Sequence, residues 1–199
     1  MPDQVVKFLK AESGGTFLDC TFGSGGHTRK ILEANPVNRV VALDRDSEAL
    51  KRGSRFLGDM KERLELKQLA FSEIGRELSN RNFNGILADL GLSTDQLKSG
   101  RGFSFSDDTP LDMRMDQSQQ LSADDIVNTY SQSELERVLK EGGATHSARQ
   151  LASAIVQSRP INNTSSLASI VRKVLAGKFP ARKKIDPATV VFQAIRIAV

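Results

Sequence analysis

The chain holds a single cysteine in 199 residues, so no internal disulfide can form, and a reducing compartment suits it. Cys20 stands beside an apolar stretch and reads as a small buried residue, not a nucleophile. No apolar run is long enough to span a bilayer. The opening residues, MPDQVVKFLK, resemble neither a secretory signal nor an Arg-rich, acid-poor transit peptide: either the protein is not targeted or its leader is absent. Charge of one sign is scarce too. The 28 Lys+Arg against 24 Asp+Glu leave a net charge of +4, a mild lean towards polyanions that does not by itself indicate nucleic-acid binding. Internal repeats and low-complexity tracts are missing. What is present is 39% hydrophobic residues, enough for the core of one domain, or of one domain with an insertion.

Over the first half, short apolar runs alternate with amphipathic segments. Thr16–Cys20, Arg39–Leu43, Leu64–Gln68 and Gly85–Leu90 are predicted strands. Helices are predicted after Gly26, from Ser47 and from Ser72, the two serines acting as N-caps. Such a βαβα chain implies a parallel sheet with helical crossovers. Beyond Leu90 the stretch STDQLKSGRGFSFSDDTPLDMRMDQSQQ has no sustained period and reads as a long functional loop. Only helical segments follow, at Ser122–Tyr130, Ser133–Glu141, His146–Ser158 and Thr164–Ala176. In ARQLASAIVQS, the pairs Leu151/Ile155 and Ala152/Val156 share one side and leave Arg149 and Gln150 on the other. GKFPARKK is a basic linker whose Lys178, Arg182, Lys183 and Lys184 either contact phosphate or stay solvated. A last helix is predicted in DPATVVFQAIRIAV, with Asp186 as N-cap and Pro187 as its first residue.

Function is concentrated in DCTFGSGGHT, residues 19–28, where Gly23, Gly25 and Gly26 fall between a predicted strand and a predicted helix. A glycine-rich turn in that position lets backbone N–H groups approach a ligand, and its glycines accept dihedrals that other residues resist. Asp44 ends the second strand, where an acid in such folds accepts hydrogen bonds from ribose hydroxyls. Two cofactors compete for this arrangement, a dinucleotide and S-adenosylmethionine. The spacing G-x-G-G departs from G-x-G-x-x-G. Asp19, directly before the loop, is placed to hold a methionine ammonium and would repel a pyrophosphate, which favours the sulfonium cofactor. The bland alternative is a tight turn, with Asp44 merely capping or solvating a strand end and His27 in a surface turn.

The segments DLGLSTDQL, RGFSF, PLDMRMD, LSADDIVNTYS, DPAT and FQAIRIAV occur in this order. Together they resemble the small-subunit rRNA (cytosine-N4)-methyltransferases, the RsmH or MraW family, from about Val5 to Val199. The resemblance implies an α/β fold: a class I S-adenosylmethionine-dependent methyltransferase with an incomplete Rossmann-like parallel sheet and a helical insertion. On that basis residues 1–98 form the cofactor-binding domain, 99–185 the loop and helical insertion that recognises RNA, and 186–199 the return to the methyltransferase domain. Matched position by position, the cofactor contacts are Gly25, Gly26, His27, Asp44, Phe71, Asp89 and Gln96, with no catalytic residue assigned and no metal. Asp89 stands nearest the incoming amine, either accepting from it or only holding the cofactor. The partner implied is small-subunit rRNA or an assembling small ribosomal subunit, with no membrane involved. Phe103, Phe105, Arg101 and Arg114 suit contacts to a splayed base, the alternative being a loop bridged internally through Asp112, Arg114 and Asp116.

The chain also departs from the family pattern. It lacks the H-x-P-V-L start and stops before the S-F-H-S-L-E-D segment, so truncation at both ends is expected, with the strand near Ile86 at a sheet edge. Gly143-Ala144-Thr145 replaces the usual G-E-E, and Asp186 stands where a histidine is usual. The wording TFGSGGHT, ALDRD, LASAIVQSR and LASIV is nearest the animal mitochondrial branch, bacterial cytoplasm being the second expectation. Two further classes remain: a non-catalytic cofactor- or RNA-binding paralogue, and a dinucleotide-dependent oxidoreductase.

Overall fold

The computed structural model describes residues 2–176 and 186–199; Lys178, Arg182, Lys183 and Lys184 of the basic linker lie outside them. The chain divides into two compact units, Met1–Ser93 and Thr94–Val199.

In the first unit, β1 (Thr16–Asp19), β2 (Arg39–Asp44), β3 (Leu64–Gln68) and β4 (Gly85–Leu87) form a parallel sheet in the order β3-β2-β1-β4. Alternate residues feed two cores. Phe17, Val40 and Ala42 pack on one face with Ile31, Leu32 and Leu57, while Leu18, Val41 and Leu43 pack on the other with Cys20 and Leu78. Because both faces are covered, β1 and β2 read as unbroken apolar runs. β3, with the sequence LELKQ, does alternate and lies at one edge, where Glu65 pairs with Arg81 and Lys67. β4 is the other edge, as expected for the strand near Ile86, and Ile86 is 60% exposed.

Three helices cross between the strands: α2 (Gly26–Ala34), α3 (Ser47–Phe56) and the short α4 (Ile74–Glu77). An amphipathic helix not foreseen from the sequence, α1 (Pro2–Leu9), precedes them and packs Val5, Val6 and Leu9 on the Phe17 face. Ser47 and Ser72 are not the caps predicted for α3 and α4. The cap of α3 is Asp46, whose carboxylate accepts from Glu48 N–H at 3.0 Å. After β3 the chain makes a 3₁₀ turn at Phe71–Glu73, with Glu73 reaching back to Ala70 N–H at 3.3 Å. Asp and Ser cap helices about equally well, so a serine near a helix start does not by itself fix which residue takes that place.

Strand ends also differ from expectation. β2 continues to Asp44, whereas β4 stops at Leu87, short of Leu90. The β1–β4 ladder ends there because Thr21 N–H turns to the Asp19 carboxylate at 3.1 Å and Asp89 N–H to the Thr21 hydroxyl at 2.7 Å. Side chains thus replace strand partners.

The second unit is helical: α5 (Thr94–Leu97), α6 (Ala123–Thr129), α7 (Gln132–Glu141), α8 (Ala148–Gln157), α9 (Thr164–Leu175) and α10 (Ala188–Ala198). α7 starts one residue before the predicted Ser133, capped by Ser131, and α8 opens at Ala148, two past His146, while α9 starts at Thr164 as predicted, with Asn163 as its cap. Leu151, Ala152 and Ile155 are buried and Arg149 and Gln150 exposed, as the spacing required. α10 begins at Ala188 with Pro187 in the N-cap place, one residue later than predicted, and the Asp186 carboxylate before it accepts from Ala188 N–H at 2.8 Å and pairs with Arg172 at 2.7 Å. α10 packs on α7 so closely that a Cβ at Gly142 would lie 2.1 Å from Ala194 Cβ.

Candidate cofactor site

Sheet order reverses direction between β1 and β4, and in open α/β sheets the crevice beyond the carboxyl ends at such a switch point takes ligands. The glycine loop leaves β1 at this point, Asp44 ends the neighbouring β2, and Asp89 follows β4.

The loop is rigidly built. Gly23 and Gly25 both have left-handed φ, 55° and 80°, and Gly25 is the N-cap of α2. A side chain at Gly25 would also strike the Phe22 ring at 3.0 Å. That ring fills a slot against α3, where a Cβ at Gly53 would come within 2.0 Å of it. Gly26 is different: it is exposed, and a Cβ there would meet no atom within 4 Å. None of the described residues requires glycine at position 26, so the space it leaves open is available to a ligand approaching the first turn of α2. The first N–H groups of a helix have no intrahelical partners and face such a ligand.

Asp44 ties the loop to β2. Its Oδ2 accepts from Gly23 N–H at 2.8 Å and its Oδ1 from Asp46 N–H at 2.9 Å. Each carboxylate oxygen carries two lone pairs, so capacity to accept from hydroxyls remains. Burial pushes the Asp44 carboxyl above its ordinary range, opposed by these backbone donors. Leu69 N–H donates to Asp44 O at 3.1 Å, which brings the chain off β3 beside Asp44; Phe71 follows and is 53% exposed. A large aromatic ring left half in water offers a face to a planar group. His27 Nδ1 lies 4.0 Å from Asp89 Oδ2, and the Asp89 side chain is 51% exposed.

Asp19 overturns one expectation. Its side chain is fully buried, with Oδ1 accepting from Thr21 N–H at 3.1 Å and Oδ2 from the Thr28 hydroxyl at 2.7 Å. It cannot reach an ammonium group on a ligand; it braces the loop from beneath. Burial holds its carboxyl above the ordinary range despite both donors. Thr21 and Thr28, which read as ordinary loop and helix residues in the sequence, are thereby part of the site's frame. The available signal was a hydroxyl in the first turn of the helix following an aspartate-led glycine turn.

Gly25, Gly26, His27, Asp44, Phe71 and Asp89 all belong to the first unit, at or just past the carboxyl ends of the strands. Gln96 belongs to the second unit, buried on α5. Also in the second unit, the Arg101–Arg114 segment is bridged internally. Arg114 grips Asp112 at 2.7 and 3.1 Å and donates to the Gln119 carbonyl at 3.0 Å. Phe103 is buried, and Phe105 packs edge-on against Phe192 at 4.9 Å. Rings and guanidinium are thus occupied within the unit, which matches the internally bridged reading of this loop.

The donor set at the sheet's carboxyl ends suits a ligand with hydroxyls to donate, a planar ring and positive charge. A pyrophosphate there would face the carboxylates of Asp44 and Asp89.

The model of the MraW methylase family matches residues 1–199. The chain belongs to that family. It is 48% identical over 197 residues to "Ribosomal RNA small subunit methyltransferase H" of Cyanothece sp., covering 98% of this chain and 65% of the relative. Proteins of the same name from Mycoplasmopsis synoviae and Syntrophotalea carbinolica are 41% and 45% identical, covering 99% and 100% of this chain and 66% of each relative. The chain therefore spans just under two thirds of the length of these curated relatives. All three organisms are bacteria. For this MraW-family chain, the parallel sheet with flanking helices is the α/β fold that the sequence motifs implied. Among the described residues, no helix is long and apolar enough to cross a membrane, and no group of three or more His, Cys, Asp or Glu is placed to hold a metal ion.

Proposed function

We propose that this chain carries the S-adenosylmethionine site of an rRNA methyltransferase that modifies the exocyclic N4 amine of a cytidine in small-subunit rRNA, free or in an assembling subunit. The observation that carries the reading is the open, side-chain-free position at Gly26, flanked by the acceptors Asp44 and Asp89 at the switch point of the sheet. The name shared by its relatives supports the substrate class.

In this reading Gly25, Gly26 and His27 line the cofactor, Asp44 accepts from its ribose hydroxyls, and Phe71 covers its adenine. Asp89 holds the amino-acid end or the incoming amine. When bound, the cofactor supplies an electrophilic methyl group on a sulfonium. The protein's own contribution is to hold the acceptor amine in line and to favour the charge that develops on it. In this reading residues 1–98 hold the cofactor and the 99–185 insertion contacts RNA, with α10 of residues 186–199 packed on α7 within the helical unit. Bacterial relatives support the bacterial cytoplasm over the mitochondrion as the compartment.

Titrating the chain with S-adenosylmethionine by calorimetry, then assaying methyl incorporation into small-subunit rRNA, tests the proposal. Binding with incorporation is the expected result. Binding without incorporation favours a non-catalytic module, and affinity for a nicotinamide dinucleotide instead would revive the oxidoreductase. Unchanged RNA methylation by Arg114→Ala removes that residue from substrate contact.

A further inference from the structure

The exposed carboxylate of Asp89 is carried on backbone that has already left the sheet. The ladder with β1 ends at Leu87, and Asp89 is two residues beyond it. Its main chain is held by a hydrogen bond from Asp89 N–H to Thr21 Oγ1 at 2.7 Å, across 68 residues of sequence. Thr21 is itself fixed from below, its N–H donating to Asp19 Oδ1 at 3.1 Å, while Asp19 Oδ2 accepts from Thr28 Oγ1 at 2.7 Å. Thr28 adjoins His27, whose Nδ1 faces Asp89 Oδ2 at 4.0 Å. The path closes on itself: Asp89, Thr21, Asp19, Thr28, His27 and back to Asp89. A buried carboxylate with both oxygens satisfied is a stiff anchor, because releasing either donor would leave a polar atom unpaired in a dry interior.

We infer that Thr21 is a positioning residue: its hydroxyl, anchored through Asp19, sets where Asp89 presents its carboxylate to the ligand. The inference rests on the reading that Asp89 contacts the cofactor. It extends that reading to a residue whose side chain makes its hydrogen bond to protein backbone. Threonine and serine can serve here, since both offer a hydroxyl oxygen as acceptor; valine, of the same shape, cannot. Losing one such bond where it governs a binding group should weaken affinity by about tenfold.

The test combines amide hydrogen exchange in the ligand-free chain with calorimetry against S-adenosylmethionine, for Thr21→Val, Thr21→Ser and each in an Asp89→Ala background. Thr21→Ala, which adds no methyl group in place of the hydroxyl, is the second variant should valine disturb folding. The expected result for Thr21→Val is faster exchange at the Asp89 amide, with the amides of β1 and β4 unchanged, and roughly tenfold weaker binding. Serine should restore both, and Asp89→Ala should abolish any further loss from Thr21→Val. A structural defect would instead weaken binding equally in either background. Equal affinity of wild type and Thr21→Val, or additive losses with Asp89→Ala, overturns the inference while leaving the cofactor reading intact. Failure of the wild-type chain to bind at all overturns both.

Discussion

The hydroxyl of Thr28 donates to the fully buried carboxylate of Asp19 at 2.7 Å, joining the first turn of α2 to the end of β1. Replacing Thr28 by valine keeps the shape and leaves Asp19 Oδ2 without that donor. The expected loss is about 1–3 kcal/mol in urea unfolding, the cost of stranding a buried polar atom, with serine recovering most of it.

Burial raises the carboxyls of Asp19 and Asp44 in the folded chain. The unfolded chain therefore gives up these protons at lower pH than the folded one. Their contribution to stability is complete below the ordinary carboxylate range and is lost as pH rises from that range through the raised values. Exposed acids such as Glu33 and Glu65 run the other way, held low by hydrogen bonds from Arg29 and Arg81. The difference between wild type and Asp19→Asn isolates the first effect. Asparagine keeps an acceptor for Thr21 N–H, and the Thr28 hydroxyl can turn to accept. Unfolding measured over a pH series should show the variant gaining on wild type as pH rises above the carboxylate range; parallel curves would refute the assignment.

Neighbouring glycines should respond in opposite ways to alanine. Gly25→Ala forces a left-handed φ on a residue with a Cβ and presses on Phe22, for an expected loss of about 1–2 kcal/mol. Gly26→Ala, in helical geometry with no atom near the new methyl, should hold or raise stability by about 0.4–1 kcal/mol while weakening cofactor binding. Thermal unfolding and calorimetry on the two variants separate a glycine needed by the fold from one needed by the ligand.

Phe71 is half in water, so Phe71→Ala should leave unfolding nearly unchanged. If its ring covers adenine, affinity for S-adenosylmethionine should fall by about tenfold or more, in line with the worth of a base stacked on an aromatic ring. Equal affinity would remove Phe71 from the site.

Much of this frame was legible from the residues. Leu64–Gln68 was bounded correctly because its alternation and its flanks agree, and Arg39 to Leu43 was recognisable as an apolar run, one residue short of the observed end of β2. The place of Asp44 was legible as well: an acid ending the second strand lies beside the glycine loop, where it accepts from Gly23 N–H at 2.8 Å. Asp19 misled: adjacency in sequence to the loop says nothing of which way a strand-end side chain points, and this one points into the core. β4 was drawn too long because AspLeuGly continues an apolar run, whereas its end is decided by a hydroxyl 68 residues away. Helix α1 escaped notice because its amphipathic pattern covers only two turns. The arginines of the long loop suited base contact and internal bridging alike, because no local pattern distinguishes a guanidinium held by its own loop from one offered to a substrate.

Phe22, wedged between Gly25 and Gly53, makes the turn and α3 a single mechanical body. Substitution at any one of these positions must be answered at another: alanine at 53 becomes admissible only once the ring at 22 gives way to something slimmer, which would in turn slacken the turn. Tolerance to change here belongs to the trio, and an engineer wishing to loosen the glycine turn would begin by altering that ring and not the glycines.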